Sequence, residues 1–194
     1  MSLSDEEKGI LLLSVREALN NLFNEESKFP EIDYEHYPEL SRRNTGAFVT
    51  LTSRGQLRGC IGFLTSEATL FDTVLQAAQE AATNDPRFAP ITLEDLSNIE
   101  LEVSVLSPAV PISNYEEIII GQHGLILDSP PFHAVLLPQV AVEQEFTTAE
   151  FLSALCEKAG LESNEWMERQ INIKVFTATV FSEIGKRKTT NERY

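Results

Sequence analysis

The run Leu57-Arg58-Gly59-Cys60-Ile61-Gly62 brings together residue types that could do chemistry: a guanidinium, a thiol and two glycines. Its length and apolar residues predict a β-strand, whose period of two puts Arg58, Cys60 and Gly62 on one face. Glycine weakens a strand, so its paired use here indicates that something approaches the backbone closely. A cation, a thiol and cleared space on one side of a sheet indicate a site, without naming its reaction.

Cys60 is the candidate nucleophile of this site. A thiol becomes reactive when a cation or a base lowers its pKa, and Arg58 lies about 7 Å away along the same strand face. His123 is the candidate base, if the fold brings it near. Three alternatives stay open for Cys60: a reactive thiol, a ligand contact, or a small apolar side chain packed in the core, as free cysteines usually are.

Arg58 must find a partner, because burying an unpaired charge is costly. An internal partner would be Glu102 or Ser104 on another strand, or Asp85 in a nearby turn, and a carboxylate could accept the guanidinium in a bidentate pair. The alternative is an anionic group of a ligand. The segment Asn84-Asp85-Pro86-Arg87-Phe88 is open in the same way: it is either a rigid helix exit, in which Asp85 bonds its own downstream backbone, or part of the site.

Several classes of function find no support in the sequence. Histidines and carboxylates lack the spacing of zinc ligands, and the motifs G-x-x-x-x-G-K and G-x-S-x-G are absent, so we predict no metal and no cofactor. The net charge of -15 makes this an acidic protein that repels nucleic acids and anionic membranes. The basic run Lys186-Arg187-Lys188 is short, and we predict a basic tail over residues 185–194.

The cellular location is predicted from the cysteines and the N-terminus. The chain has two cysteines in separate contexts and is large enough not to need a disulfide. Its N-terminus is acidic, unlike a signal peptide, and no apolar stretch reaches the roughly 20 residues that span a bilayer. We therefore expect a reduced, cytoplasmic protein without membrane contact.

Capping signals and hydrophobic periodicity predict the elements that position these residues. They are a helix from Ser4 to about Asn24, strands over 46–52 and 56–64 joined by a glycine-containing turn, a helix over 70–81, a strand over 99–106, a short helix running into a strand over 115–120, a hairpin of strands 123–127 and 134–137, a helix from Thr147 to Gly160, and a closing strand over 171–181. Hairpins alternating with helices predict an α+β fold with a mainly antiparallel sheet flanked by helices. We expect two intimately packed subdomains within a single domain over 1–194, with a boundary near the prolines at 107–111.

Several blocks of the chain occur in a recognisable order, over residues 46–51, 57–62, 81–82, 85–88, 102–106, 123–125, 136–140 and 155–161. Their order resembles the AMMECR-type domain family, also called AmmeMemoRadiSam system protein A. The resemblance extends from the first helix to about Glu183, and the Arg-Gly-Cys run is its most specific part. One departure is the hairpin segment Ser129-Pro130-Pro131-Phe132-His133, where a more polar or glycine-bearing turn is expected.

The resemblance implies an α+β fold with two subdomains and a cytosolic domain that goes with a Memo-like protein and a radical-SAM protein. Because no complete set of catalytic groups can be recognised, we expect a non-catalytic accessory or ligand-binding component whose small ligand is unknown. The alternative is an enzyme with a Cys60-centred site assisted by Arg58. In the candidate site Cys60 and His123 are the catalytic candidates, and the residues that line it are Arg58, Gly59, Gly62, Asp85, Arg87, Glu102 and Gln139.

Overall fold

A computed structural model describes residues 3–24, 29 and 31–183. The chain forms two compact units. The first comprises the residues up to Val105 and those from Thr179 onward, and the second comprises Leu106–Ala178. The chain leaves the first unit after Val105 and returns to it at Thr179. The predicted basic tail over 185–194 lies outside the described residues.

The first unit is a four-stranded sheet with two long helices. Its elements are α1 (Asp5–Asn20), β1 (Ala47–Ser53), β2 (Gln56–Phe63), α2 (Leu70–Thr83), β3 (Ile99–Leu106) and β8 (Ala178–Ser182), with short 3-10 turns at Pro38–Ser41 and Asp95–Asn98. The strand order is β2-β1-β3-β8, and β1 pairs antiparallel with both β2 and β3. Strand β2 is therefore an edge strand of this sheet.

Helix α2 packs on one face of the sheet because its apolar stripe consists largely of small residues. Val74, Ala77, Ala78 and Ala81 are all buried, and the alanines let the helix backbone come close to β1 and β2. The approach is closest at Gly59, where an added Cβ would lie 2.1 Å from the Ala81 carbonyl oxygen. We call the face of the sheet that α2 covers the inner face, and the opposite one the outer face.

The hairpin between β1 and β2 has a two-residue turn, Arg54–Gly55, and both residues have positive φ, at 52° and 75°. This geometry matches the right-handed twist of the flanking strands. Further along the hairpin the register shifts: Leu51 pairs with Gly59, while Thr52 pairs with Leu57. Arg58 is therefore an extra residue without a partner on β1, as in a β-bulge.

The second unit has its own four-stranded sheet. The elements are β4 (Val110–Pro111), β5 (Gly124–Ser129), β6 (Phe132–Leu136), α3 (Pro138–Glu143), α4 (Thr148–Lys158), α5 (Glu165–Glu168) and β7 (Ile173–Phe176), with a 3-10 turn at Tyr115–Glu117. The strand order is β4-β7-β5-β6 with antiparallel pairing. Helix α4 fills the core, where Phe151, Leu152, Leu155 and Cys156 are buried with sheet residues such as Leu125.

The α+β class with mainly antiparallel sheets is confirmed, and three element predictions are corrected. The closing strand predicted over 171–181 is two strands, β7 and β8, which belong to different sheets. The segment 115–120 is a 3-10 turn without a following strand. Helix α1 ends at Asn20 rather than near Asn24, where two consecutive asparagines, which are weak helix formers, begin the turn.

Candidate functional site

The side chain of Cys60 lies on the outer face of the first sheet, in register with Thr50 of β1 and Glu102 of β3. Cys60 has a free thiol, and the residue is partly exposed. The Thr50 hydroxyl donates a hydrogen bond to its sulfur over 3.4 Å. A thiol, a hydroxyl and a carboxylate thus follow one another across three adjacent strands, which are about 4.8 Å apart.

The main chain of Cys60 is held by the turn that follows α2. Because β2 is an edge strand, its outward N–H and C=O groups need partners from outside the sheet. The Asp85 carboxylate accepts from the Cys60 N–H over 2.9 Å, and the Arg87 guanidinium donates to the Cys60 carbonyl over 3.1 Å. Two side chains thus occupy the place that a further strand would take.

Asp85 and Arg87 also hold each other. The guanidinium donates from Nε to Oδ1 and from Nη2 to Oδ2, over 2.9 and 2.7 Å, and the Arg87 N–H donates to the same carboxylate over 3.1 Å. The side-chain hydrogen bonds from Arg87 hold the pKa of Asp85 far below its usual range, although burial opposes this. The same hydrogen bonds raise the pKa of Arg87, and the Cys60 thiol adds a smaller contribution. The pair is therefore ionised at neutral pH.

Arg58 has a different partner from those expected. Its guanidinium donates to the Ala89 carbonyl over 2.8 Å and forms an ion pair with Asp95 at 3.4 Å. The sequence analysis names Asp85 as a possible partner of Arg58, but Asp85 forms its ion pair with Arg87. The register shift explains the difference, since Arg58 is the unpaired residue of the bulge and its side chain reaches residues 89–95.

The two glycines make room for neighbouring groups of this chain. Gly59 faces α2 on the inner face, away from the thiol. At Gly62 an added Cβ would lie 2.4 Å from the Phe48 ring, which fills the space that the sequence analysis expected to be clear. Gly62 therefore accommodates an aromatic ring of the adjacent strand, and the close approach indicated by the glycines comes from Ala81 and Phe48.

The other two candidates, His123 and Gln139, belong to the second unit. His123 Nδ1 accepts a hydrogen bond from the Ile119 N–H over 3.2 Å, and the main-chain N–H of His123 donates to the Ile119 carbonyl. The histidine therefore closes a tight turn. Gln139 lies at the start of α3 and is partly buried.

Sequence reasoning did not find Thr50, Phe48 or Asp95. A signal for Asp95 was present, because Thr92 and Asp95 have capping-type spacing, and Asp95 does accept from both the N–H and the hydroxyl of Thr92. For Thr50 and Phe48 no local signal exists, since their place beside Cys60 and Gly62 depends on the hairpin register.

The described residues contain neither a group of metal ligands nor a membrane-spanning helix. Within residues 3–24, 29 and 31–183, no three histidine, cysteine, aspartate or glutamate side chains are grouped so that they could hold a metal ion. Among the same residues, none of the helices has the length and apolarity to cross a bilayer.

The fold and the site define a class of two-unit α+β proteins in which an Asp-Pro-Arg turn clamps a cysteine at the edge of a sheet. The chain belongs to the AMMECR1 family, whose model matches residues 13–181, and the resemblance seen in the sequence is thereby confirmed.

Relatives extend over most of the chain. A protein of Methanothermobacter thermautotrophicus is 40% identical over 154 residues, covering 76% of this chain and 80% of its own length. One of Methanocaldococcus jannaschii is 39% identical over 171 residues, covering 84% and 85%. The crystal structure of an uncharacterised protein from Pyrococcus horikoshii is similar over 93% of both chains, with a TM-score of 0.81 and 36% identity.

Proposed function

We propose that this chain is a non-catalytic accessory domain that binds a small ligand at the outer face around Cys60 and works with a Memo-like protein and a radical-SAM protein. The observation that carries the proposal is the clamp on Cys60. Both main-chain groups of this residue are fixed by Asp85 and Arg87, while its thiol stays partly exposed beside the Thr50 hydroxyl. A site on a strand, supported by hydrogen bonds from a second segment, is held rigidly enough to bind a ligand in one orientation.

The hydrogen bond at the thiol favours binding over catalysis. A cysteine nucleophile is activated by an adjacent base that takes its proton. At Cys60 the neighbour that donates to the sulfur is a hydroxyl, which supplies no base. His123, the base expected from the sequence, uses Nδ1 as an acceptor for the Ile119 N–H. A cytoplasmic location fits the proposal, because both cysteines are free thiols.

One observation favours the alternative, an enzyme with Cys60 as its nucleophile. A cation does lie beside Cys60, although it is Arg87 rather than Arg58. A guanidinium and a hydroxyl donor would both stabilise a thiolate. The alkylation rate of Cys60 in the folded protein separates the two functions: the accessory domain predicts a rate no higher than that of a free thiol at pH 7, and the enzyme predicts a higher one.

The chain contains its own control for the alkylation experiment. Cys156 is fully buried in α4, and burial raises the pKa of its thiol. Iodoacetamide should therefore leave Cys156 unmodified until the protein is unfolded. Labelling of Cys156 at the rate of Cys60 would show that the protein was open, and the comparison would be repeated under stabilising conditions.

Association with the partners tests the accessory role directly. The purified chain is mixed with the Memo-like and radical-SAM proteins of the same genome, and complexes are measured by sedimentation velocity at tens of micromolar. We expect a complex that is weakened by Thr50→Lys on the outer face and unchanged by Leu13→Lys, a control at a 70% exposed position of α1. The absence of a complex with either partner would refute the accessory role.

A further inference from the structure

We infer that Arg87 anchors an oxyanion-binding subsite beside Cys60, which takes a carboxylate or phosphate oxygen of the ligand. The inference rests on the proposed function and deepens it, because it names the chemical class that the site recognises. It depends on how the N–H groups of Arg87 are used, on how firmly its guanidinium is held, and on where it lies relative to the thiol.

The guanidinium of Arg87 has donors to spare. An arginine carries five side-chain N–H groups, one on Nε and two on each terminal nitrogen. Nε donates to Asp85, and Nη2 donates to Asp85 and to the Cys60 carbonyl. Among the described residues Nη1 has no hydrogen bond to the protein in the geometric sense, although the guanidinium lies close enough to the Cys60 thiol for the two to interact, and 54% of the side chain is exposed. The two N–H groups on Nη1 are therefore the donors left for a ligand.

The guanidinium is held in place before any ligand arrives. Asp85, with a side chain only 2% exposed, fixes one edge of the fork, and the Phe88 ring lies below the guanidinium carbon at 5.4 Å. An exposed arginine normally loses much side-chain freedom when it binds. Arg87 has already lost that freedom in the folded protein, so an oxygen bound by Nη1 incurs little of this entropy cost.

The position of Arg87 gives the subsite its direction. The guanidinium lies beside Cys60, since it donates to the Cys60 carbonyl and interacts with its thiol, so a ligand oxygen bound by Arg87 lies near the thiol. N–H donors on a cation form stronger hydrogen bonds to an oxyanion than to a neutral oxygen. Because the net charge of -15 repels anions in general, direct hydrogen bonds rather than long-range attraction must select the ligand.

Arginine side-chain NMR tests the subsite on the isolated chain. The protein is titrated with inorganic phosphate and, separately, with acetate at constant ionic strength, and the Nε–H signals are followed. Arg169 is the internal control, because its side chain is 56% exposed and also paired, with Glu165. We expect saturable shifts at Arg87 and at the Cys60 amide, with half-saturation at a concentration at least about tenfold lower than at Arg169.

The two salts distinguish the possible sources of the oxyanion. Stronger saturation by phosphate assigns a phosphorylated ligand, stronger saturation by acetate assigns a carboxylate, and either supports the subsite. Equal or non-saturating shifts at Arg87 and Arg169 overturn it, and this comparison within the wild-type protein needs no variant. Arg87→Lys keeps the charge but not the fork, and it should abolish saturation at the Cys60 amide, whereas Arg169→Lys should leave it unchanged.

Protection of the thiol is the second measurement. If the oxyanion sits beside Cys60, saturating salt should slow iodoacetamide labelling of the wild-type protein several-fold and have no such effect on Arg87→Lys. A failure of both measurements while the partner complex still forms would remove the subsite and leave the accessory role standing. Saturable binding without a partner complex would do the reverse.

Discussion

The substitution Asp85→Asn tests the clamp on Cys60 most directly. The buried carboxylate accepts four hydrogen bonds, one from the Cys60 N–H and three from Arg87. Net contributions run at about 1.5–3 kcal/mol for hydrogen bonds to charged groups, but Arg87 is half exposed and its ion pair is worth about 1 kcal/mol or less. An asparagine keeps one acceptor oxygen and turns an NH₂ group toward the remaining donors. We therefore expect a loss of about 3 kcal/mol in the free energy of unfolding.

The pH dependence of this loss has a definite sign. Arg87 holds the pKa of Asp85 in the folded protein well below the value of about 3.9 in an unfolded chain. The carboxylate therefore stabilises the fold fully above about pH 4, and this contribution is lost as the pH falls further toward the folded-state pKa. Asparagine does not titrate. The difference between wild type and Asp85→Asn should be constant near neutral pH and shrink below about pH 4.

The assay combines a global with a local measurement. A loss of about 3 kcal/mol lowers the melting temperature of a protein of this size by about 6–12 °C, and amide exchange at Cys60 reports the opening of the clamp itself. Asp128→Asn is the matched control, since this carboxylate is 43% exposed and also has two partners, the cationic Lys174 and the His133 ring. If Asp85→Asn costs no more than Asp128→Asn, or if its cost stays unchanged down to pH 3, the clamp does not stabilise the strand as argued.

Two further outcomes follow from the same geometry. Gly59→Ala should destabilise the protein by about 2 kcal/mol or more, because the new Cβ would lie 2.1 Å from the Ala81 carbonyl oxygen. The control Gly9→Ala, in α1 with nothing within 4 Å of its Cβ, should stabilise the protein by about 0.5–1 kcal/mol. Thermal unfolding of both variants checks this, and equal effects would contradict the close approach of α2. Arg58→Gln should cost about 1 kcal/mol or less, because its ion pair with Asp95 is partly exposed, and it should leave the alkylation rate of Cys60 unchanged; a large change in that rate would assign the cation beside the thiol to Arg58 instead of Arg87.

The sequence predicts an element well where the interactions that stabilise it join residues that are close in the chain. The capping boxes at Ser4 and Thr147 are both present, each with its glutamate three residues later. The hairpin turn was predicted from Gly55, whose positive φ suits glycine. In each case the interacting groups lie within a few residues, so their identity and spacing contain the needed information.

The remainder depends on contacts that sequence spacing does not encode. The closing segment alternates without interruption from Ile173 to Phe181, yet the chain passes from one sheet to the other at Thr177. Alternation reports that a strand forms, and it contains nothing about which strand lies beside it. The bulge at Arg58 is equally invisible, because a register shift depends on how two strands pair, and the residue types along each strand do not reveal it.

The candidate site shows the same division at the level of single residues. Among the partners that the sequence suggests for Arg58, Asp85 has the negative charge that an ion pair needs. In the structure Asp85 pairs with Arg87, two residues away, while Arg58 reaches Asp95 because the bulge turns it toward the loop. Spacing identified the right turn and the right strand but could not match the charges between them.

Most of the Arg-Gly-Cys-Ile-Gly run is explained by packing alone. Gly59 lets the backbone of α2 come close, and Gly62 leaves room for the Phe48 ring. Arg58 binds the segment 89–95 through the Ala89 carbonyl and Asp95. The Cys60 backbone is secured by Asp85 and Arg87. Packing leaves unused the thiol of the partly exposed Cys60 and the Nη1 donors of Arg87, whose guanidinium contacts this cysteine. Cys60→Ser changes only the thiol, so it should disturb ligand binding far more than it disturbs the melting temperature. Arg87→Lys should disturb both, because it also removes the hydrogen bonds from the guanidinium to Asp85 and to the Cys60 carbonyl.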